Sequence, residues 1–427
     1  MIRYALFLLF FPLLLPAQTV RNVGELFDSL KSHSTTMSDE IRIEQALAGK
    51  SMAYSNLYPN IDLFGRYDYA SIPTSMVPVP PNELLAMVQH PTVAQPFSER
   101  ISRVGATVSM PIFVASIFTA AAKAKMMYHS AEDQKYINLL KNEAVIVSAN
   151  ANLLYMQAMQ QALEKKKSSL SKTKEFVVMK VDNGRAPGSA LLNINNAIQQ
   201  VDLLKNDIAL QQEEVLSTIQ SLTGIRLAAP VPMELIGNYT DGTIKALDPL
   251  RKKLEADRLA LSAEKEKLWP SVAVQGSYSR NFADAYNTGA RINNDYLTIG
   301  VIVKLPLFTM NQYTQIEKSS VDVEASENEL ATMTMELSSQ ARQLQNGLLL
   351  ISNSLELLHA SIKEKEELLA IAKVSYASDQ MSMEDYLKYE DDLVLEQSKL
   401  FKTEAQHWQT LVKLAVIYGN NIEEIVK

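Results

Sequence analysis

Two short turns hold the residues best placed to do chemistry. The first reads Val181-Asp182-Asn183-Gly184-Arg185-Ala186-Pro187-Gly188-Ser189, the second Tyr376-Ala377-Ser378-Asp379-Gln380-Met381-Ser382-Met383-Glu384-Asp385. Their carboxylates suit electrostatic selection: acidic groups around a narrow passage repel anions and attract cations. Acidic residues in the first turn of a helix also stabilise its dipole, so Ser189, Glu384 and Asp385 have an equally concrete role as caps. Both roles stand on the sequence alone.

Other chemistries find little support. With no cysteine in the chain, disulfides, thiolate metal sites, cysteine nucleophiles and an N-terminal lipid-bearing cysteine are excluded. His33, His90, His129, His359 and His407 are scattered and share no metal-ligand spacing. The 17 methionines have thioethers suited to Cu(I), but their dispersal is that of packing residues. No Gly-rich phosphate loop, nucleophile elbow or clustered carboxylate pair occurs, so neither catalysis nor a cofactor is expected. The net charge of −7 argues against nucleic acid, which calls for a basic face.

The elements that position the two turns come from a duplication. Leu57-Tyr58-Pro59-Asn60 with Gly65 recurs as Leu268-Trp269-Pro270-Ser271 with Gly276, at an offset of 211. Val104-Gly105 through Met110-Pro111-Ile112-Phe113 recurs as Ile299-Gly300 through Leu305-Pro306-Leu307-Phe308, at 195. Leu222-Thr223-Gly224 matches Ile417-Tyr418-Gly419, again at 195. Residues 18–225 and 226–427 are therefore two copies of one unit: helix, strand, strand, long helix, turn, helix. The first copy has extra residues in the connection Ile72 to Arg100, whose prolines 73, 78, 80, 81, 91 and 96 predict an irregular, exposed loop.

Strands are expected at about 61–72, 101–110, 271–282 and 296–305. Ile61, Leu63, Tyr67 and Tyr69 alternate with Asp62, Arg66 and Asp68; Val272, Val274 and Tyr278 alternate with Gln275, Ser277 and Ser279. Leu297, Ile299, Val301, Val303 and Leu305 alternate with Thr298, Gly300 and Lys304. A period of two with one apolar face, over roughly ten residues, matches a tilted transmembrane strand. Pro111 and Pro306 are expected to end the strands. Trp269, at a strand start, suits an interfacial aromatic belt or a core.

Two proline-free stretches, about 114–181 and 309–376, predict helices of roughly 100 Å at 1.5 Å per residue. Leu330, Met333, Leu337, Leu344 and Ile351 follow a heptad seam, with Gln340 and Gly347 as its polar or small positions. The frame resumes at Leu355, Leu358, Ile362, Leu369, Ala372 and Tyr376 after one four-four step, a stutter. Return helices at about 189–223 and 384–418 are half as long. Shorter helices at about 22–56 and 244–267, stacked on them, would complete a second column beside each long helix. Met1 to Ala17 reads as a secretory signal, with Arg3 before an apolar run and Pro16-Ala17 before the cut.

The duplicated Leu-aromatic-Pro lead-in to the first strand, the Gly…Pro-x-Phe exit from the second and the tip turns together resemble the TolC family of outer-membrane efflux proteins, over nearly the whole mature chain. The resemblance implies a mainly α fold with a small transmembrane β part: three chains close a twelve-stranded β-barrel, continued by an α-helical barrel across the periplasm. It implies a homotrimer in the outer membrane of a Gram-negative cell, in contact with lipid, with a periplasmic adaptor protein and an inner-membrane transporter as partners. The function implied is passive export from periplasm to exterior, with multidrug efflux, type I protein secretion and metal export all open as to cargo. Independently of any resemblance, four strands cannot close a barrel in lipid, because their open edges leave backbone groups unpaired.

In that family the tips close the periplasmic entrance and meet the adaptor. This assigns Tyr376, Asp379, Glu384, Asp385, Asp182 and Asn183 to the constriction, and Gly184, Arg185, Ala186, Gln380 and Met381 to adaptor contact. Gly184 keeps the family's turn glycine, while Asp379 replaces it in the second copy. Lys388 stands where the family has a further acidic residue, and the first copy has Ala190 and Asn193 there, so a second acidic ring loses its basis. The rival from another class is a secreted structural coiled coil, which predicts no lipid-facing strands.

Overall fold

The structure is a computed structural model that describes residues 20–427. The expected secretory signal, 1–17, lies outside the described residues. Eight helices and four strands follow the duplicated order: α1 (Val23–Ser32), α2 (Ser34–Ser55), β1 (Asn60–Ser75), α3 (Pro81–Gln89), β2 (Phe97–Phe113), α4 (Ala115–Asp182), α5 (Gly188–Thr223), then α6 (Asp248–Glu266), β3 (Ser271–Asp284), β4 (Arg291–Lys304), α7 (Met310–Ala377) and α8 (Met383–Tyr418). The long helices have 68 residues each and the return helices 36 each, so the two copies match residue for residue from α4 and α7 onward.

Several boundaries differ from expectation. The strands are longer, 14 to 17 residues. β2 runs through Pro111 to Phe113 rather than ending at the proline, with an irregularity in its pairing to β3 there, because a proline has no N–H to give a ladder. The single helix expected at 22–56 is two, broken at His33, whose backbone is extended. The connection expected to be wholly irregular contains α3, started by Pro81 at its first position, where a missing N–H costs nothing.

By contacts the chain divides into two compact units. Of the described residues, the first comprises 20–42, 132–248 and 331–427, and the second 43–131 and 249–330. The first unit has the main core. Val23, Leu26, Phe27 and Leu30 of α1 pack with Leu140, Ile146 and Leu153 of α4, Ile219 of α5, and Leu411, Val412 and Ala415 of α8. Asn150 is fully buried, and its amide makes both halves of a backbone-like pair with Val231, donating to its carbonyl at 2.7 Å and accepting from its N–H at 2.9 Å. A buried amide satisfied on both sides fixes the segment between the two copies against α4.

Along α7 in this unit the buried and half-buried positions include Thr334, Leu337, Ala341, Leu344, Leu348, Ile351, Leu355, Leu358, Ile362, Lys365, Leu369, Ala372 and Tyr376. Their spacing alternates three and four without interruption. The seam takes Ala341 rather than the exposed Gln340, so no stutter is needed. The sequence frame misplaced it because alanine carries a weak hydrophobic signal beside a neighbouring heptad residue.

The second unit holds one antiparallel sheet in the order β1-β2-β3-β4. Cross-strand register sorts its side chains onto two faces, since alternate residues point to opposite sides. Leu63, Ala106, Tyr278 and Leu297 are direct partners, as are Ile61, Val108, Gly276 and Ile299. That face is apolar and exposed: Leu63 is 85% accessible and Ile299 75%. Arg66, Arg103, Asn281 and Asn294 form one row of the other face, and Asp62, Thr107, Ser277 and Thr298 another. Trp269, 55% accessible, is not in a core.

Candidate functional site

The tip turns lie 195 residues apart and have the same backbone path. Gly184 and Asp379 occupy the same place, at φ of 66° and 61°. Asp379 is the one non-glycine residue at positive φ among the described residues. Aspartate tolerates this left-handed conformation better than most side chains, which explains how the second copy dispenses with the glycine. After each long helix an N–H reaches back to close the turn: Arg185 donates to the Lys180 carbonyl at 2.8 Å, and Gln380 to the Ser375 carbonyl at 2.9 Å.

The two turns are brought together around an aromatic cluster. Tyr376, buried, stacks on Tyr386 with ring centroids 5.3 Å apart and meets Phe176 edge-on at 6.1 Å. Lys180 of α4 lies over both Phe176 and Tyr376, at 4.6 and 4.8 Å from their ring centres, and its ammonium pairs with the Asp379 carboxylate. Such cation–π seating favours a lysine that is largely out of water. Beneath it, the fully buried Tyr386 hydroxyl donates to the Glu390 carboxylate at 2.6 Å, and the Ser169 hydroxyl donates to the same oxygen at 2.6 Å. Burial pushes the phenols of Tyr376 and Tyr386 up, aided by Asp379 in the first case and by Glu390 in the second.

Asp385 sits in a capping arrangement. Its backbone N–H donates to the Ser382 hydroxyl oxygen at 3.0 Å, and that hydroxyl donates to the Asp385 carboxylate at 2.6 Å. The cap of α8 is therefore Ser382, and neither Glu384 nor Asp385 takes that place; both remain exposed. The cap of α5 is Pro187, with no side-chain cap bond, so Ser189 does not cap. Asp182, Asn183 and Arg185 are exposed; the Asn183 amide donates to the Met179 carbonyl at 2.8 Å. Ala186 and Met381 are half-buried, and Met381 packs against the tyrosine cluster.

The sequence reading found the turn residues but missed Lys180, Phe176, Ser169 and Glu390, which lie on helix faces. Their one signal was spacing: Ser169, Phe176 and Lys180 recur at helical intervals on the face that ends at the first turn. Among the described residues no group of three or more histidine or acidic side chains is placed to hold a metal ion. None of the described helices is long and apolar enough to cross a membrane.

No protein-family model matches the chain, and no curated protein matches it in sequence. Solved structures do. The outer-membrane channel CmeC of Campylobacter jejuni superposes with a TM-score of 0.76 at 16% identity, over 93% of this chain and 85% of that one. The outer-membrane protein VceC of Vibrio cholerae gives 0.77 at 15%, over 93% and 96%. The open state of the Neisseria gonorrhoeae outer-membrane channel MtrE gives 0.73 at 12%, over 93% and 89%. The chain thus has the fold of TolC-like outer-membrane channels, the fold that its duplicated motifs resemble. These structures are of channel proteins, not enzymes.

Proposed function

We propose that the chain is one third of a homotrimeric outer-membrane duct, and that it passes solutes passively from periplasm to exterior. The observation that carries this is the sheet: one face exposes Ile61, Leu63, Tyr67, Leu297, Ile299 and Val301, and both edge strands are long. In water such a face and such edges are liabilities. In lipid the apolar face is at rest, and a further copy on each edge pairs the free backbone groups of β1 and β4. Three copies of four strands give the twelve-stranded closure implied by the resemblance. The helices then lie on the periplasmic side, and the tip turns form the entrance, opened by movement around Gly184 and Asp379.

The energy for export comes, on this reading, from an inner-membrane transporter joined through a periplasmic adaptor that meets Gly184, Arg185, Ala186, Gln380 and Met381. Tyr376, Asp379, Glu384, Asp385, Asp182 and Asn183 line or set the constriction. Cargo is chosen, on the same reading, by the inner-membrane partner. Membrane fractionation, then light scattering on the detergent extract, tests the reading. A trimer in the outer-membrane fraction is expected; a soluble monomer or dimer would overturn it and leave the secreted coiled coil.

A further inference from the structure

The two copies are unequal in one place, and the register shows which side of the sheet the inequality covers. β3 and β4 are joined by residues 285–290, whereas β1 and β2 are joined by Met76–Pro96, which includes α3. Asp68, Ile101, Ala283 and Ile292 are direct cross-strand partners and share a face. The next rows on that face are Arg66, Arg103, Asn281, Asn294 and then Phe64, Gly105, Ser279, Tyr296. This is the polar face. Met76, buried, packs on Ile101, Ala283 and Ile292, and the Asn281 amide donates to the Met76 carbonyl at 3.2 Å. Ser279 and Asn281 are buried, while Leu297 and Ile299 on the opposite face stay open.

The connection is also tied down. The Asn287 amide, in the β3–β4 turn, donates to the carbonyls of Pro91 at 2.9 Å and Val93 at 2.7 Å, and its carbonyl oxygen accepts from the Gln95 N–H at 3.1 Å. The Tyr286 N–H donates to the Phe97 carbonyl at 2.9 Å. One side chain therefore satisfies three backbone groups of a proline-rich segment, which has few ladder bonds of its own. Beneath it, Asp68 pairs with both Arg66 and Arg103 on the polar face.

Resting on the barrel reading, in which the polar face lines the bore, we propose that Met76–Pro96 is a cover over the outer mouth and that Asn287 is the positioning residue that holds it there. The cover sets the size of solute that passes the exterior end. The second copy contributes only its short turn to this rim, so the duplicated architecture is modified at one connection to make a size filter.

The test uses the whole chain, whose lack of cysteine makes any introduced thiol unique. Thr298→Cys lies deeper on the polar face and Leu297→Cys beside it on the apolar face. Intact cells are treated with a small charged maleimide or with one bearing a short polyethylene glycol tail, neither of which crosses the membrane. Thr298→Cys is expected to react with the small reagent and to give no adduct with the tailed one. Adding Asn287→Ala, or replacing 76–96 by the sequence of residues 285–290, should restore the tailed adduct and leave the small-reagent rate unchanged. Equal tailed adduct with and without the cover would overturn the proposal. Equal labelling of Leu297→Cys and Thr298→Cys would instead mean that the sheet is no barrel, a failure of the underlying reading.

Discussion

The Lys180 ammonium and the Asp379 carboxylate form an ion pair that joins the last turn of α4 to the turn between α7 and α8. The lysine side chain is 12% accessible and the aspartate 67%, so the pair has a sheltered cation and a wet anion. It contributes at most about 1 kcal/mol to stability. Its position matters more, since it spans the two turns that form the entrance in the proposed duct. Asp379→Gly gives the second turn the residue of the first, relieving the left-handed aspartate while deleting the pair. The melting temperature is expected to change little, and single-channel conductance in planar bilayers to rise. Lys180→Met should raise conductance similarly. A fall in melting temperature with unchanged conductance would make the pair structural only.

Asp385 and Ser382 permit cap and gate to be separated. Ser382→Ala removes the cap of α8 and leaves the carboxylate, so it should cost about 1 kcal/mol and leave ion selectivity as it was. Asp385→Ala removes the charge and should lower cation preference in planar bilayers, more strongly at low salt because screening weakens the effect. Unchanged selectivity in Asp385→Ala would assign the residue to capping.

Much of this architecture was legible because it rests on long periods. A 68-residue proline-free helix and a period-two strand repeat their signals many times, and the constant offset of 195 between copies fixed the turns to within a residue. What the sequence concealed rests on single contacts. Nothing in Ala341 marks it as a seam residue ahead of Gln340, and nothing in Lys180 marks it as seated on Phe176 and Tyr376. The break at His33 escaped notice because neither proline nor glycine causes it. The cover over the polar face was legible only as a proline-rich excess, since its placement depends on cross-strand register.

The connection Met76–Pro96 hydrogen-bonds within its own chain to Asn281 and Asn287. Deleting it is therefore expected to leave the trimer intact on light scattering, as for an insertion outside the strand pairing. Loss of the trimer would mean that the segment also bridges copies.

Glu143 gives a pH dependence of definite sign. It is 2% accessible, its Oε2 has no hydrogen-bond partner, and Lys31 and Glu423 act on its charge while Tyr136 feels it. Burial first, then Glu423, pushes its carboxyl up to about 7, against the pull of Lys31. Because the folded value exceeds the unfolded one, stability is full at low pH and declines as pH rises from about 4.5 through about 7. The loss approaches roughly 3 kcal/mol above that range. Glu143→Gln should thus raise the melting temperature at pH 8 and change it little at pH 5. An equal effect at both values would show that the carboxylate is ionised throughout.

Two glycines, Gly105 and Gly276, lie in the central strands β2 and β3. Gly105 is on the polar face and Gly276 on the apolar one, and only Gly105 is crowded. A Cβ on Gly105 would collide with the Tyr278 carbonyl oxygen and lie 2.8 Å from the Phe64 ring, whereas one on Gly276 would have the Thr298 carbonyl at 3.8 Å as its nearest neighbour. The Phe64 ring can rotate aside, but the Tyr278 carbonyl belongs to the paired strand and cannot move without breaking the ladder between β2 and β3. Gly105→Ala should therefore sharply reduce trimer recovered from the membrane, while Gly276→Ala should cost little, being in ordinary contact. Comparable trimer yields for the two variants would show that the β2–β3 ladder yields at Gly105 without penalty.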